Sequence, residues 1–296
     1  MRIVTSVEEF RQARSALAGS WGFVPTMGYL HEGHLSLVRR ARAENEHVAV
    51  SIFVNPAQFG PNEDFAAYPR DVERDLRLLE PLSVDLVFHP TPEVMYPPHF
   101  QTYVTVGAVT QTLEGAARPG HFRGVATVVA KLFNIVPAER SYFGQKDAQQ
   151  VIVIKRMITD LAIPTHLVVC PTVREPDGLA MSSRNTYLEP AQRTAATVLY
   201  HALSAAKQRF DAGEREAEAL RRAMRMTLEP EPLAQIDYVS AADPLTLREL
   251  DHVEDRLLLS MAVRIGRPRL IDNFLLEEGR WMTGEIVKVS NRRAVW

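Results

Sequence analysis

Two histidines, His31 and His34, flank Gly33 in the stretch Phe23-Val24-Pro25-Thr26-Met27-Gly28-Tyr29-Leu30-His31-Glu32-Gly33-His34. Imidazoles at this spacing can hold phosphate oxygens, either as cations or as hydrogen-bond donors. Gly28 and Gly33 let the backbone approach a ligand closely or take a positive φ. Downstream, Leu35, Leu37, Val38 and Ala41 alternate with Arg39, Arg40 and Arg42, which is the pattern of an amphipathic helix. The free N–H groups and the dipole at a helix start favour an anion, most often a phosphate. Upstream, residues 21–24 read as a short buried strand that Pro25 ends, because proline has no N–H for a ladder. The order is therefore strand, glycine loop, helix. A histidine at a helix start is also commonly a cap or a surface residue, and His31-x-Gly33-His34 alone leaves both readings open.

Two further clusters carry positive charge. Ser141-Tyr142-Phe143 reads as a strand, followed by Gly144-Gln145-Lys146-Asp147 and then a helix through Ile152, Ile154, Met157 and Ile158. Lysine is scarce in this chain and arginine supplies most of its positive charge. A lysine beside a glycine at a helix start therefore points to a phosphate met by a compact ammonium. Gln150 lies one turn into that helix and can face the same crevice. In Met181-Ser182-Ser183-Arg184-Asn185, two hydroxyls and a guanidinium can bind a triphosphate and stabilise charge on departing pyrophosphate. The loop Asn55-Pro56-Ala57-Gln58-Phe59-Gly60-Pro61 follows another apolar strand. Its Gln58 offers a donor and an acceptor to a small polar substrate, or is simply solvated. Arg118, His121 and Arg123, in a glycine-flanked turn, either hold an anion or form a solvated loop. Cys170 sits in the apolar run Leu167-Val168-Val169-Cys170 and reads as a small core residue rather than a nucleophile.

The elements that must position these groups fall into two parts. Residues 47–54, 84–88 and 167–170 read as strands, the first apolar on both faces as parallel strands are. Residues 102–106 read as β-rich, and 5–18 and 71–79 as helices. Beyond Val173 the composition changes: 190–210 and 215–228 are long alanine-rich helices, and 235–239, 257–263 and 269–273 are strands. The expectation is a larger α/β domain over 1–172, a smaller α+β domain over 173–280, and a tail over 281–296 without an assigned role, containing Trp281, Ile286, Val287, Val289 and Trp296. A length of 296 residues suits that division. A net charge of −2 gives no basic field that would ask for nucleic acid. No apolar run is long enough to span a bilayer and the first residues lack a signal-peptide core, so no membrane partner is expected. The single cysteine excludes an internal disulfide and suits a cytoplasmic location.

The His31-x-Gly33-His34 stretch and the Met181–Arg184 stretch each resemble signatures of the adenylyl-transferring superfamily that includes class I aminoacyl-tRNA synthetases and small nucleotidylyltransferases. Six stretches in order resemble, more specifically, the pantoate–β-alanine ligase family. They are Val24 through His34, Phe53-Val54-Asn55-Pro56 through Tyr68-Pro69-Arg70, Pro119-Gly120-His121-Phe122-Arg123-Gly124-Val125, Phe143-Gly144-Gln145-Lys146-Asp147, Met181-Ser182-Ser183-Arg184-Asn185 and Arg269-Leu270-Ile271-Asp272-Asn273. The likeness spans about residues 3–274.

The resemblance implies a Rossmann-like parallel sheet, a smaller C-terminal lid and a homodimer. It implies ATP-dependent joining of pantoate and β-alanine, with Mg²⁺ and no assigned metal ligands, giving pantothenate, AMP and pyrophosphate. Carried over residue by residue, Met27, Gly28, Tyr29, Leu30, His31, Glu32, Gly33 and His34 line the ATP site. His34 is the catalytic histidine, with His31 beside it at the phosphates. Gln58 binds pantoate and borders β-alanine, and Gln150 binds pantoate. Gly144, Gln145, Lys146 and Asp147 hold the nucleotide, with Lys146 reaching its phosphates. Val173 touches the adenine side through its backbone. Met181, Ser182, Ser183 and Arg184 close over the triphosphate, Arg184 as a catalytic group. Gln145 and Ala57 depart from the family's commoner residues.

The chemistry also fits the residues themselves. A carboxylate is a poor electrophile until it is activated as an acyl adenylate, and an amine can then displace AMP. No protein nucleophile is needed, only positioning and charge stabilisation. Three other classes remain compatible with the residues. A nucleotidylyltransferase would stop at an adenylylated product, and a tRNA synthetase would want a longer, more basic chain. A nucleotide-binding regulator would bind ATP without turnover.

Overall fold

The computed structural model describes residues 1–61 and 63–287. The chain forms two compact units. The first comprises Met1–Gly144 and Ala148–Cys170; the second comprises Gln145–Asp147 and the chain from Pro171 onward.

The first unit opens with β1 (Arg2–Val4) and α1 (Val7–Ser15). Ser6 starts α1 by accepting the N–H of Glu9, while the Glu9 carboxylate accepts the N–H of Ser6, a reciprocal cap. Next come β2 (Trp21–Thr26), α2 (Glu32–Glu44), β3 (His47–Ile52), α3 (Val72–Leu79) and β4 (Leu86–Phe88). The short α4 (Pro92–Met95) and α5 (Glu114–Ala117) precede α6 (His121–Ile135), β5 (Arg140–Gly144), α7 (Ala148–Asp160) and β6 (His166–Cys170). The six strands form one parallel sheet in the order β1-β4-β3-β2-β5-β6. From β2 the chain winds outward to β3 and β4, and then returns to place β5 on the other side of β2. That reversal is the switch point at which ligands of open α/β sheets bind, outside the carboxyl ends of the strands. The expected α/β class with a Rossmann-like sheet is what the chain forms. Its core brings Val24, Val48, Val50, Val87 and Tyr142 of the sheet against Leu37, Val38 and Ala41 of α2, with Cys170 buried among them.

Three local expectations change. Pro25 does not end β2: Pro25 and Thr26 stay in register with Ser51 and Ile52. The ladder to β5 stops at Phe23, so Pro25 lies past it, where a missing N–H is tolerated as on an edge strand. Residues 102–106 form no strand, and the Val104 N–H goes to the Thr127 hydroxyl at 3.0 Å instead of to a ladder. The N-terminal Arg2–Val4, to which the sequence pattern assigns no element, is the edge strand beside β4.

In the second unit β7 (Val173–Arg174) precedes α8 (Pro190–Ala195), α9 (Val198–Asp211) and α10 (Ala217–Leu228). The antiparallel strands β8 (Ala234–Ala242), β9 (Leu257–Ile265), β10 (Arg269–Glu277) and β11 (Arg280–Met282) follow, and β12 (Glu285–Ile286) pairs with β7. Leu199, Leu203, Leu220 and Met224 of the helices pack on Leu257, Leu259, Val263 and Phe274 of the sheet. The single helix expected over 190–210 is broken at Ala196–Thr197, where the Thr197 hydroxyl bonds back to Thr194 O at 2.9 Å. Trp281 and Ile286 of the expected tail lie in β11 and β12; Val289 and Trp296 lie outside the described residues.

Candidate active site

The loop between β2 and α2 stands at the switch point, and one buried carboxylate shapes it. Asp75 of α3 is 1% exposed and accepts the N–H groups of Tyr29 and Leu30, each at 2.7 Å. Burial pushes its carboxyl up from the usual range, against the pull of those two N–H donors and of Arg74. Arg74 donates to Leu30 O at 2.9 Å and lies over the Tyr29 ring. The loop needs this support, because Gly28 has φ of +80° and Tyr29 has φ of +50°. A Cβ at position 28 would stand 3.0 Å from the Asp75 carboxylate and 3.0 Å from Ile52.

His31 and His34 meet at the head of α2, with ring centroids 4.0 Å apart. The His31 N–H points to His34 Nδ1 at 3.3 Å. A ring that accepts at Nδ1 carries its proton on Nε2, where it can donate to a phosphate oxygen. Glu32 and Gly33 form the first turn of α2, with Glu32 paired to Arg39 on its surface.

Gln58 is buried rather than solvated. Its Nε2 faces Met27 Sδ at 3.2 Å, and its Oε1 accepts from Asn55 Nδ2 at 3.0 Å. Asn55 also donates to Gly124 O and accepts from the Tyr96 hydroxyl at 2.7 Å. Burial raises the Tyr96 hydroxyl's pKa, keeping it protonated as a donor. Gly124 permits this approach of α6 to the loop, since a Cβ there would fall 2.1 Å from Ala57 O. Among the basic turn residues, Arg118 is engaged by Glu63 through two nitrogens at 2.6 and 2.7 Å. His121 bonds Gln58 O through Nδ1 at 2.8 Å and faces Arg118 through Nε2 at 3.1 Å. Burial, with Arg118 beside it, pushes the imidazole down to about 4, so it is neutral at physiological pH. Arg123 lies over Tyr103. These groups build the Gln58 loop from behind. Gln150 is half-buried in the first turn of α7, next to a fully committed Gln149 that bonds Val109 O, Thr112 O and the Glu114 N–H.

The second unit carries the remaining candidates apart from Gly144. Gly144 closes β5 in the first unit, and Gln145, Lys146 and Asp147 form a 3₁₀ turn. Lys146 Nζ stands 3.8 Å from Asp147 Oδ1. The Gln145 side chain is turned inward onto Asn273, with Nε2 donating to Asn273 Oδ1 at 3.0 Å. The Val173 carbonyl accepts the Met181 N–H at 3.0 Å. Ser182 caps the 3₁₀ turn Ser183–Tyr187 by accepting the Arg184 N–H at 3.3 Å. In β7, Arg174 is fully buried, bonds both oxygens of Asp272 at 2.6 and 2.8 Å, and lies against the rings of both Tyr200 and Phe274.

Sequence reasoning missed Asp75, Asn55 and Asn273. Asp75 had a signal: it falls on the Val72-Leu76-Leu79 stripe of its helix, where a carboxylate is costly unless it has a task.

The strand order and the loop at the switch point place the first unit in the doubly wound α/β class of nucleotide-binding proteins. The sequence profile of the pantoate-beta-alanine ligase family matches residues 2–275. The chain is 64% identical over 277 residues to a pantothenate synthetase of Roseiflexus castenholzii, covering 94% of this chain and all of that one. The crystal structure of pantothenate synthetase from Thermus thermophilus superposes with a TM-score of 0.89 at 50% identity, covering 92% of this chain and 98% of that one. The pantoate-beta-alanine ligase of Francisella tularensis, solved with beta-gamma ATP and beta-alanine, superposes with a TM-score of 0.77 at 38% identity over 93% and 97% of the two chains. The chain belongs to the pantoate–β-alanine ligase family.

Proposed function

We propose that this chain joins pantoate to β-alanine at the expense of ATP through a pantoyl-adenylate intermediate. Family membership carries the overall reaction. The pair His31–His34 at the head of α2, on a loop at the sheet's switch point, is the observation that supports activation by adenylyl transfer.

In the first step a pantoate carboxylate oxygen attacks the α-phosphorus of ATP, the bond to the β-phosphate oxygen breaks, and pyrophosphate leaves. In the second, the β-alanine amine attacks the activated carbonyl, AMP departs and the nitrogen loses a proton. His34 donates from Nε2 to the phosphates, with His31 beside it. Met27 to Gly33 line the nucleotide. Gln58 binds pantoate and borders β-alanine, and Gln150 binds pantoate. On the second unit, Lys146 and Arg184 meet the developing phosphate charge, while Gln145, Asp147, Val173, Met181, Ser182 and Ser183 serve the nucleotide. Gly144 supplies backbone, and a lid of the kind the resemblance implies keeps water from the adenylate.

Among the described residues no group of three or more His, Cys, Asp or Glu is arranged to hold a metal. The resemblance implies Mg²⁺, an ion usually carried on the phosphates of ATP with few protein ligands. When bound it neutralises phosphate charge. The resemblance further implies a homodimer, and the lone buried cysteine suits a cytoplasmic location.

Exchange of labelled pyrophosphate into ATP tests the intermediate. It should require pantoate and proceed without β-alanine. Exchange that needs the amine would replace the two-step scheme with a concerted one.

A further inference from the structure

Lysine is a flexible point charge, and its use at a phosphate depends on where its backbone is held. Gln145–Asp147 is a three-residue turn whose flanking residues belong to the first unit, whereas the turn itself belongs to the second. One side chain accounts for much of that attachment. Asn273 of β10, buried to 3% exposure, donates through Nδ2 to Gln145 O at 3.1 Å and to Lys146 O at 2.8 Å. Its Oδ1 accepts from Gln145 Nε2 at 3.0 Å. Both ends of the carboxamide are thus spent on the lysine turn. The chain positions 145 and 273 are 128 residues apart, so no local preference creates this arrangement. Asn273 is itself fixed: its N–H reaches Asp272 Oδ1 at 2.7 Å, and Asp272 is locked by Arg174. Neither an aspartate, which lacks the two donors, nor a leucine of similar size could replace this amide.

We propose that Asn273 is a positioning residue for Lys146: by holding the carbonyls of Gln145 and Lys146 it sets the point from which the ammonium reaches the phosphates of ATP. The inference rests on the phosphate role proposed for Lys146. A displacement of about 1 Å at such a group can cost on the order of a hundredfold in rate.

The test is a double-mutant cycle on pyrophosphate release from ATP and pantoate, using the full chain with Asn273→Ala, Lys146→Ala and the double variant, with circular dichroism and thermal melting alongside. Asn273→Ala should lower the single-turnover rate of pyrophosphate release by about 10- to 100-fold. The double variant should be no slower than Lys146→Ala alone, because the amide acts only through the lysine. Asn273→Ser, which keeps one donor, should fall between wild type and Asn273→Ala, and it carries the same cycle if the alanine variant does not fold. Losses that multiply in the double variant would give Asn273 a role independent of Lys146 and overturn the proposal. A wild-type rate for Asn273→Ala beside a slow Lys146→Ala would also overturn it while leaving the phosphate role intact. A wild-type rate for Lys146→Ala would overturn both.

Discussion

The two glycine-bearing junctions of this chain are built by different means. At the first, after β2, the histidine loop is held by a carboxylate from a helix: Asp75 gathers two backbone N–H groups. At the second, after β5, the lysine turn is held by a carboxamide from a strand: Asn273 gathers two backbone carbonyls. A loop preceding a helix exposes N–H groups and calls for an acceptor. A turn whose carbonyls face inward calls for a donor. The second clamp is stiffened by a fully buried ion pair, Arg174–Asp272, and the first by a guanidinium stacked on Tyr29. The comparison teaches that each of the two junctions proposed to meet phosphate is held by a polar residue distant in sequence that matches the backbone polarity it must satisfy.

Breaking the stiffer clamp should have the largest effect. Asp272→Ala strands the buried Arg174 guanidinium, and denaturant unfolding should show a loss of about 3–5 kcal/mol. A loss under 1 kcal/mol would mean that water enters and the pair is not the anchor described. Next, His34→Ala removes the group that the first clamp presents. Pyrophosphate release should fall about a hundredfold or more, equivalent to ~3 kcal/mol, with the melting temperature unchanged. Asp75→Asn sharpens the comparison, since one amide cannot accept from both Tyr29 and Leu30 through its two ends. Unfolding free energy should drop by about 1–3 kcal/mol and adenylate formation should slow, whereas unchanged values would remove Asp75 from the account.

The smallest effect at neutral pH belongs to the Gln58 loop. His121 is neutral when folded, held near 4 against an ordinary value of 6.5. The unfolded chain binds the proton first, so this contribution to stability is complete above pH 6.5 and is lost as pH falls toward 4. The slope is at most about 1.4 kcal/mol per pH unit. His121→Gln should flatten that part of the acid limb in urea unfolding across the range.

Much of this was legible in the sequence because it is local. The apolar run of β3, the amphipathic α2 and the His31-x-Gly33-His34 spacing each sit within a few residues, and the six ordered stretches carried the family. What was not legible depends on partners far along the chain. Pro25 reads as a strand end until the β5 ladder is seen to stop at Phe23. Residues 102–106 have strand composition but pair with no strand among the described residues. Arg118 and His121 read as an anion site or a solvated turn, until Glu63 and the Gln58 carbonyl are found to occupy them. Asn273 lies in a stretch that carried the resemblance, but nothing local gives it a role, because its work is done on Gln145 and Lys146.

The central claim is that pantoate is activated by ATP before the amine enters. The direct measurement is pyrophosphate release in a single turnover with ATP, Mg²⁺ and pantoate, with and without β-alanine. The account predicts one equivalent released without the amine and sustained turnover only with it. No release from pantoate in the absence of β-alanine would contradict it.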